Sequence, residues 1–423
     1  MKGCGAAMAF ALAGTSMQAV AADTSGSVVA QLLEDGPKEW GRFGEEDELG
    51  RLNLLGSEEA FEGMKAATKR GKKGVRRFTL QLSQTGEVID GPEDTGDPAF
   101  PPRTPARRDN TTPAPPEPGA GGMKFVDDKW ATDFFLQGTT HVDALGHAWY
   151  GEHIYNGFSA RTTEEVKEFD VPLDGTAGED AIPGEGSEDG DSDGCLDPVT
   201  ETRGLAKTGV GNVGNEGIVG RGVLLDVGRQ FGTEGPNGNR LPLVGEDSPS
   251  ADVTFDDLQA TARAQGTEVR DRDILLVRTG AVERTRDPDA AWAPLQEPGL
   301  VYSEELVEWV ADRDISYIGA DNLAVEKVVQ TVTVDGSEET AVIPLHGAFL
   351  RNLGVYINEI LDLSALAAAC AEDGIYEFLF TAAPLNVERG TGAPVNPVVL
   401  KASGAEDKGN DKDTDKRGRG RGR

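Results

Sequence analysis

Cysteine and histidine are scarce in this 423-residue chain, with three of the former and four of the latter. Too few cysteines are present for a structural zinc site, so zinc-finger readings fail. Basic residues are also short: 41 Lys and Arg stand against 73 Asp and Glu, a formal net charge of −32. An acidic excess of that size repels phosphate and argues against DNA or RNA as a partner. Beyond the first residues no apolar run reaches membrane-spanning length. Aromatic residues make up 6 % and hydrophobic residues 38 %. Both are low, which points to a folded centre with sizeable solvated loops and a loose end. The length still allows a large buried core in roughly one to three domains.

The start reads as an export signal over residues 1–21. Lys2 is its only early charge, an apolar run begins at Ala6, and Ala19-Val20-Ala21 fits the small-x-small cleavage rule. A mature start near Ala22, a secreted or periplasmic location and no membrane contact after cleavage follow as expectations. Cleavage removes Cys4 and leaves Cys195 and Cys370, which can pair or stand as separate thiols.

A polar segment is expected over 22–39. Ser57 to Thr68 reads as a helix with Ser57 as its cap and Phe61, Met64 and Ala67 at helical spacing. Phe78 to Ser83 alternates like a strand. Residues 91–122 and 170–203 are irregular, the first rich in Pro and Gly, the second in Asp, Glu and Gly. Gly222 to Val227, Asp273 to Arg278, Ile315 to Ala320 and Tyr376 to Ala383 read as buried strands. Thr254 to Ala264, Ser303 to Ala311 and Leu363 to Ala371 read as helices. The mixture predicts an α/β (mixed α+β) fold, one large domain over 40–402 with a buried mixed sheet flanked by helices. The charged tail, 403–423, is expected to be disordered.

Three of the four histidines, His141, His147 and His153, fall in one short window. In an extended strand His141 and Asp143 share a face, so an imidazole nitrogen and a carboxylate can meet one divalent cation. His147 reaches the same place if the chain bends through Gly146, and it is a proton carrier suited to neutral pH. His346, with Glu359 downstream, is a candidate distant ligand or support.

The segment Gln137-Gly-Thr-Thr-His141-Val-Asp143-Ala-Leu-Gly-His147 resembles the H-x-G-T-H-x-D-x-P-x-H motif of the cyclase superfamily, which includes kynurenine formamidases and isatin hydrolases. Further blocks agree in order: Trp40 to Leu55, Gly220 to Asp226, Asp273 to Gly280, Gly319 to Glu326, Leu345 to Glu359 and Gly390 to Pro397. The resemblance implies a swivelling β/β/α-like fold and a homo-oligomer. It implies metal ligands at Gln137, His141 and Asp143, with the His346 and Glu359 pair also meeting the site, and proton transfer by His147. Three positions depart from the motif: Gln137 for His, Thr139 for Gly and Leu145 for Pro. A neutral Gln oxygen is a weaker, harder ligand than imidazole and tilts the choice from zinc towards manganese.

The implied reaction is hydrolysis of an N-acyl or cyclic amide, a small-molecule substrate, with Trp40, Phe43, Trp149 and Asp321 as candidate substrate contacts. Two other readings compete. The same metal and base could close a lactone or amide ring, although abundant water favours hydrolysis. Alternatively, Asp189, Asp191, Asp193 and Asp197 are spaced like a calcium loop, so the protein could be a secreted calcium-binding module. Thr200 stands where an EF-hand would place its closing Glu.

Overall fold

Residues 218–226, 274–278 and 317–320 are apolar almost throughout, and such runs form strands that are covered on both faces. The computed structural model places them side by side at the centre of a nine-stranded sheet. It describes residues 27–68, 74–84, 108–110, 124, 128–130, 134–168, 201–235, 238–242, 251–286, 297–334 and 336–403. In chain order the strands are β1 (Val75–Thr79), β2 (His141–Asp143), β3 (Ile218–Asp226), β4 (Ile274–Arg278), β5 (Tyr317–Ala320), β6 (Tyr356–Glu359), β7 (Glu377–Ala382), β8 (Gly392–Pro394) and β9 (Val398–Ala402). Their spatial order is β1-β9-β7-β3-β4-β5-β6-β2-β8. Strands β3, β4, β5 and β6 run parallel, and every other pairing is antiparallel. This is the expected mixed α+β architecture on one large sheet.

The helices are α1 (Val28–Asp35), α2 (Ser57–Thr68), α3 (Phe255–Gln265), α4 (Glu304–Asp312) and α5 (Ser364–Asp373), beside shorter turns. Local sequence explains several of their ends. Thr254 caps α3 in a reciprocal box with Asp257, and left-handed Gly266 closes it. Ser303 caps α4 by accepting from the Leu306 amide.

Several details depart from the sequence reading. The polar segment 22–39 contains α1, whose Val29 and Leu33 are buried in the main core. An eight-residue helix is too short to announce itself by periodicity and is held here by tertiary contact. Its Ser27 cap and Val29 amide both meet the distant carboxylate of Glu339. The first strand lies three residues earlier than expected, and Leu80 and Leu82 continue it as buried, non-strand chain. Helix α2 spans the expected residues, but Gly56 opens it: the Ala60 amide bonds Gly56 O, and Glu59 reaches back to the Gly56 amide. Of its three apolar residues at helical spacing, only Ala67 is buried. Phe61 is 55 % and Met64 48 % exposed, while Gly63 and Ala67 are buried. A Cβ on Gly63 would lie 2.6 Å from the carbonyl oxygen of Gly220 in β3, so the helix seats on the sheet through its small residues.

Short ladders join Arg108–Asn110 to Asp128–Trp130 and Glu165–Glu168 to Glu201–Gly204. They enter both stretches read as irregular. Among the described residues Cys370 is a free, fully buried thiol on α5. The leader, the polar segment before residue 27, Cys4, Cys195, the four aspartates of the calcium-like loop and the tail after Ser403 lie outside the described residues. Among the described residues no helix is long and apolar enough to cross a membrane.

Candidate metal centre

Strand β2 lies between β6 and β8, with Glu359 directly opposite His141 and Gly392 directly opposite Asp143. Opposed residues of an antiparallel pair share a face, as do residues two apart on one strand. Register alone therefore gathers His141, Asp143 and Glu359, and one ligand atom from each lies within 4.8 Å of the others. His141 Nε2 is 3.4 Å from Asp143 Oδ1 and 3.4 Å from Glu359 Oε2. His141 Nδ1 donates to the Thr139 carbonyl at 2.6 Å. A carbonyl only accepts, so Nδ1 carries the proton and Nε2 faces the carboxylates. Asn358 holds the strand from behind: its amide donates to His141 O at 2.6 Å and accepts from Tyr317 OH at 2.7 Å.

His346 arrives from the other side. Left-handed Ile343 (φ 43°) turns the chain into the Pro344–His346 helical turn, which continues as a π-helix over Gly347–Leu353. Its Nε2 lies 3.3 Å from Glu359 Oε1 and 3.7 Å from Asp143 Oδ2. Asp143 and Glu359 thus each turn one oxygen to His141 and the other to His346. His147, 27 % exposed, completes the cluster with Nε2 3.8 Å from Asp143 Oδ1. The bend that brings it there is a turn in which the His147 amide bonds Ala144 O. Gln137 Nε2 lies 3.3 Å from His147 Nδ1 and donates to Thr391 Oγ1 at 2.9 Å.

Asp143 is fully buried, yet among the described residues neither carboxylate oxygen accepts a hydrogen bond. A buried carboxylate without donors is costly unless a cation faces it. Burial alone would raise its pKa, but the neighbouring His147 and His141 hold it well below the usual carboxylate range. Burial likewise opposes charge on His141 and His346, and the surrounding carboxylates outweigh it, so both imidazoles are pushed up. His147 goes the other way, lowered chiefly by burial. The cluster therefore draws positive charge inward. Imidazole nitrogens with carboxylate oxygens are a donor set that fits a divalent ion such as manganese or zinc.

The Trp40 indole donates to Arg351 O at 2.8 Å, and the Arg351 guanidinium covers its ring. Phe43 is half-buried under Arg42. Trp149, 41 % exposed, lines a surface cavity of about 290 Å³ with Leu33, Tyr150 and Val342. Asp321 braces a turn: it accepts from Thr279 N at 2.7 Å, Thr279 Oγ1 at 2.8 Å and Gly280 N at 2.8 Å. Burial, with Glu283 nearby, pushes its carboxyl up to about 7. His153 is exposed and packs edgewise near Trp40.

Sequence reasoning missed Glu326 and Thr391 as members of the site. Glu326 accepts from His346 Nδ1 at 2.8 Å, and Thr391 meets Gln137. Both sit inside blocks that carried the resemblance, but no local pattern marks either as a neighbour of the histidines.

A sequence profile of the family described as "Putative cyclase" matches residues 80–327. Among solved structures, one described as a novel cyclase is 28 % identical, covers 86 % of this chain and 98 % of its own, and superposes with a TM-score of 0.61. Isatin hydrolase A from Labrenzia aggregata, bound to benzyl benzoate, is 14 % identical over 80 % of this chain and 97 % of its own, with a TM-score of 0.45. An isatin hydrolase bound to the product analogue thioisatinate is 15 % identical over 82 % of this chain and 100 % of its own, with a TM-score of 0.42. The comparison with curated proteins returns no match.

Proposed function

This chain belongs to the cyclase family, and from that premise we propose that it is a metal-dependent hydrolase opening an N-acyl or cyclic amide. The observation that carries this reading is Asp143, a buried carboxylate without hydrogen-bond donors among the described residues that faces three histidines and a second carboxylate. His141, Asp143 and Glu359 would hold the ion, with His346 on the far oxygens of the same two carboxylates. When bound, a divalent ion supplies Lewis acidity that lowers the pKa of water and polarises a substrate carbonyl.

The remaining work falls to the chain. His147 is the partly exposed member of the cluster, so it can meet both solvent and substrate. It takes the proton from the attacking water at Nε2 and returns it to the leaving nitrogen. That role needs a free lone pair on Nε2, hence a proton on Nδ1. Gln137 Nε2 is the atom 3.3 Å from Nδ1, where a nitrogen can only donate, so the base role needs the amide turned over, its oxygen accepting both the Nδ1 proton and the Thr391 hydroxyl. The position that departs from the family motif thus lies where it tunes the general base. Amide and lactam substrates are favoured by the motif resemblance, and export by the leader sequence. N-terminal sequencing of the mature protein should find a start near Ala22.

The test is elemental analysis of protein purified without chelators, beside a His141→Ala/Asp143→Ala double variant. About one or two manganese or zinc ions per chain, lost in the variant, are expected. Turnover of N-formyl anilines or isatin-like lactams should disappear with the metal. No bound metal after reconstitution with both ions would sink the proposal.

A further inference from the structure

Resting on the metal reading above, we infer that Glu326 is the positioning residue that holds His346 with Nε2 turned to the metal cluster. Four N–H groups converge on its buried carboxylate. Oε1 accepts from the His346 amide and from His346 Nδ1, both at 2.8 Å. Oε2 accepts from the Leu345 amide at 2.9 Å and from Gln330 Nε2 at 2.8 Å. Three of the four, the two backbone amides and the Gln330 nitrogen, can only donate, and an ionised carboxylate that accepts from them accepts from His346 Nδ1 as well. With Nδ1 donating to Glu326, the ring presents Nε2 to Asp143 and Glu359. A carboxylate behind a ligating imidazole fixes its rotation and raises its basicity.

The same carboxylate also holds the backbone from which His346 projects. Leu345 and His346 lie in the first turn of their helical segment, where amides lack the usual intrahelical partner; the His346 amide is shared between Glu326 at 2.8 Å and Ile343 O at 3.2 Å. Pro344 at the start of that turn has no amide to satisfy. One side chain therefore sets both where the turn begins and how its histidine points.

The chain around Glu326 is shaped to place it. Ala324 (φ 71°) and Val325 (φ 59°) are consecutive left-handed residues, a conformation unfavourable for a β-branched side chain. Strain of this kind persists where surrounding structure over-determines it, and it gathers at functional sites. Here the surroundings are visible. Gly299 comes so close that a Cβ would lie 2.4 Å from the Glu326 carbonyl carbon. The Lys327 amide bonds Leu300 O at 2.9 Å. Gln330 is itself fixed, its oxygen accepting from the Tyr302 amide at 2.6 Å.

The test compares manganese and zinc affinity, by chelator competition on the full chain, in wild type, Glu326→Ala and Glu326→Gln. The Ala variant should bind about 10- to 100-fold more weakly. The Gln variant should recover part of the loss, because its oxygen still accepts the Nδ1 proton while its nitrogen meets the Leu345 and Gln330 donors. In zinc-loaded protein labelled with ¹⁵N-histidine, His346 Nδ1 should carry a hydrogen-bonded proton in wild type. Equal affinity in wild type and the Ala variant, or an unprotonated Nδ1 in wild type, would overturn this inference alone. A wild type that takes up no metal would overturn the metal reading first. If the Ala variant does not fold, the wild-type Nδ1 signal and the Gln variant decide the matter.

Discussion

At the scale of single residues, the groups proposed to hold a cation are distinct from the one proposed to move a proton. Asp143, Glu359, His141 and His346 are almost wholly buried, while His147 keeps contact with solvent. His147→Ala should therefore lower kcat by about 10²- to 10⁴-fold while leaving the metal content unchanged. Metal loss in that variant would assign His147 to the ligands instead. The pH dependence has a definite sign. Burial lowers the His147 pKa below its ordinary 6.5, and a bound cation would lower it further. A base must be neutral, which holds above its pKa. The acid limb of kcat/KM should then fall below pH 6.5. A limb above that value would contradict the assignment of the base.

At the scale of elements, two close approaches set the frame around the site. Helix α2 rests on β3 through Gly63, where propensity and packing oppose each other. Ala is better than Gly inside a helix by about 1 kcal/mol. The added Cβ would meet Gly220 O at 2.6 Å and its carbonyl carbon at 2.8 Å, an overlap that costs about 1–3 kcal/mol. Packing should win, so Gly63→Ala should unfold at lower denaturant concentration than wild type. A variant that unfolds later would mean that the helix lifts without penalty. The second approach is the pairing of β6, β2 and β8. Gly392 faces Asp143 there, and a side chain would strike Val142 O and the Gln137 side chain. Gly392 of the closing segment thus admits the strand that carries His141 and Asp143.

At the scale of the whole molecule, charge is the dominant feature. A net charge of −32 stores self-repulsion that salt screens, since the Debye length falls from about 30 Å at 0.01 M to about 3 Å at 1 M. The Tm of metal-saturated protein at neutral pH should rise with sodium chloride over that range. A flat or falling Tm would show that local ion pairs outweigh the global repulsion. Acid acts with the opposite sign on particular pairs. Burial would raise Asp314 and Asp362, but Arg42 and Arg286 respectively hold both below the ordinary 3.8. Their contribution is complete above that value and disappears as pH falls through the lowered pKa. Both are about a quarter exposed, so solvent weakens each effect. Removal of the chain's repulsion by acid should therefore stabilise it at first, before loss of these pairs reverses the trend.

The sequence by itself determined the class of fold, because runs such as 222–226 and 274–278 are apolar on both faces and capped helices alternate with them. It also determined the metal-binding chemistry of one strand, since residues 141 and 143 share a face in any extended chain. Period and capping are local properties, and local properties can be read from neighbours. Only the tertiary structure decided the rest. Glu359 reaches His141 through strand register, and Glu326 reaches His346 through a strained turn 20 residues earlier. The buried face of α2 turned on one glycine meeting a strand more than 150 residues away. Contacts of that range depend on how the sheet is ordered and paired, and no period or cap in the chain encodes that order.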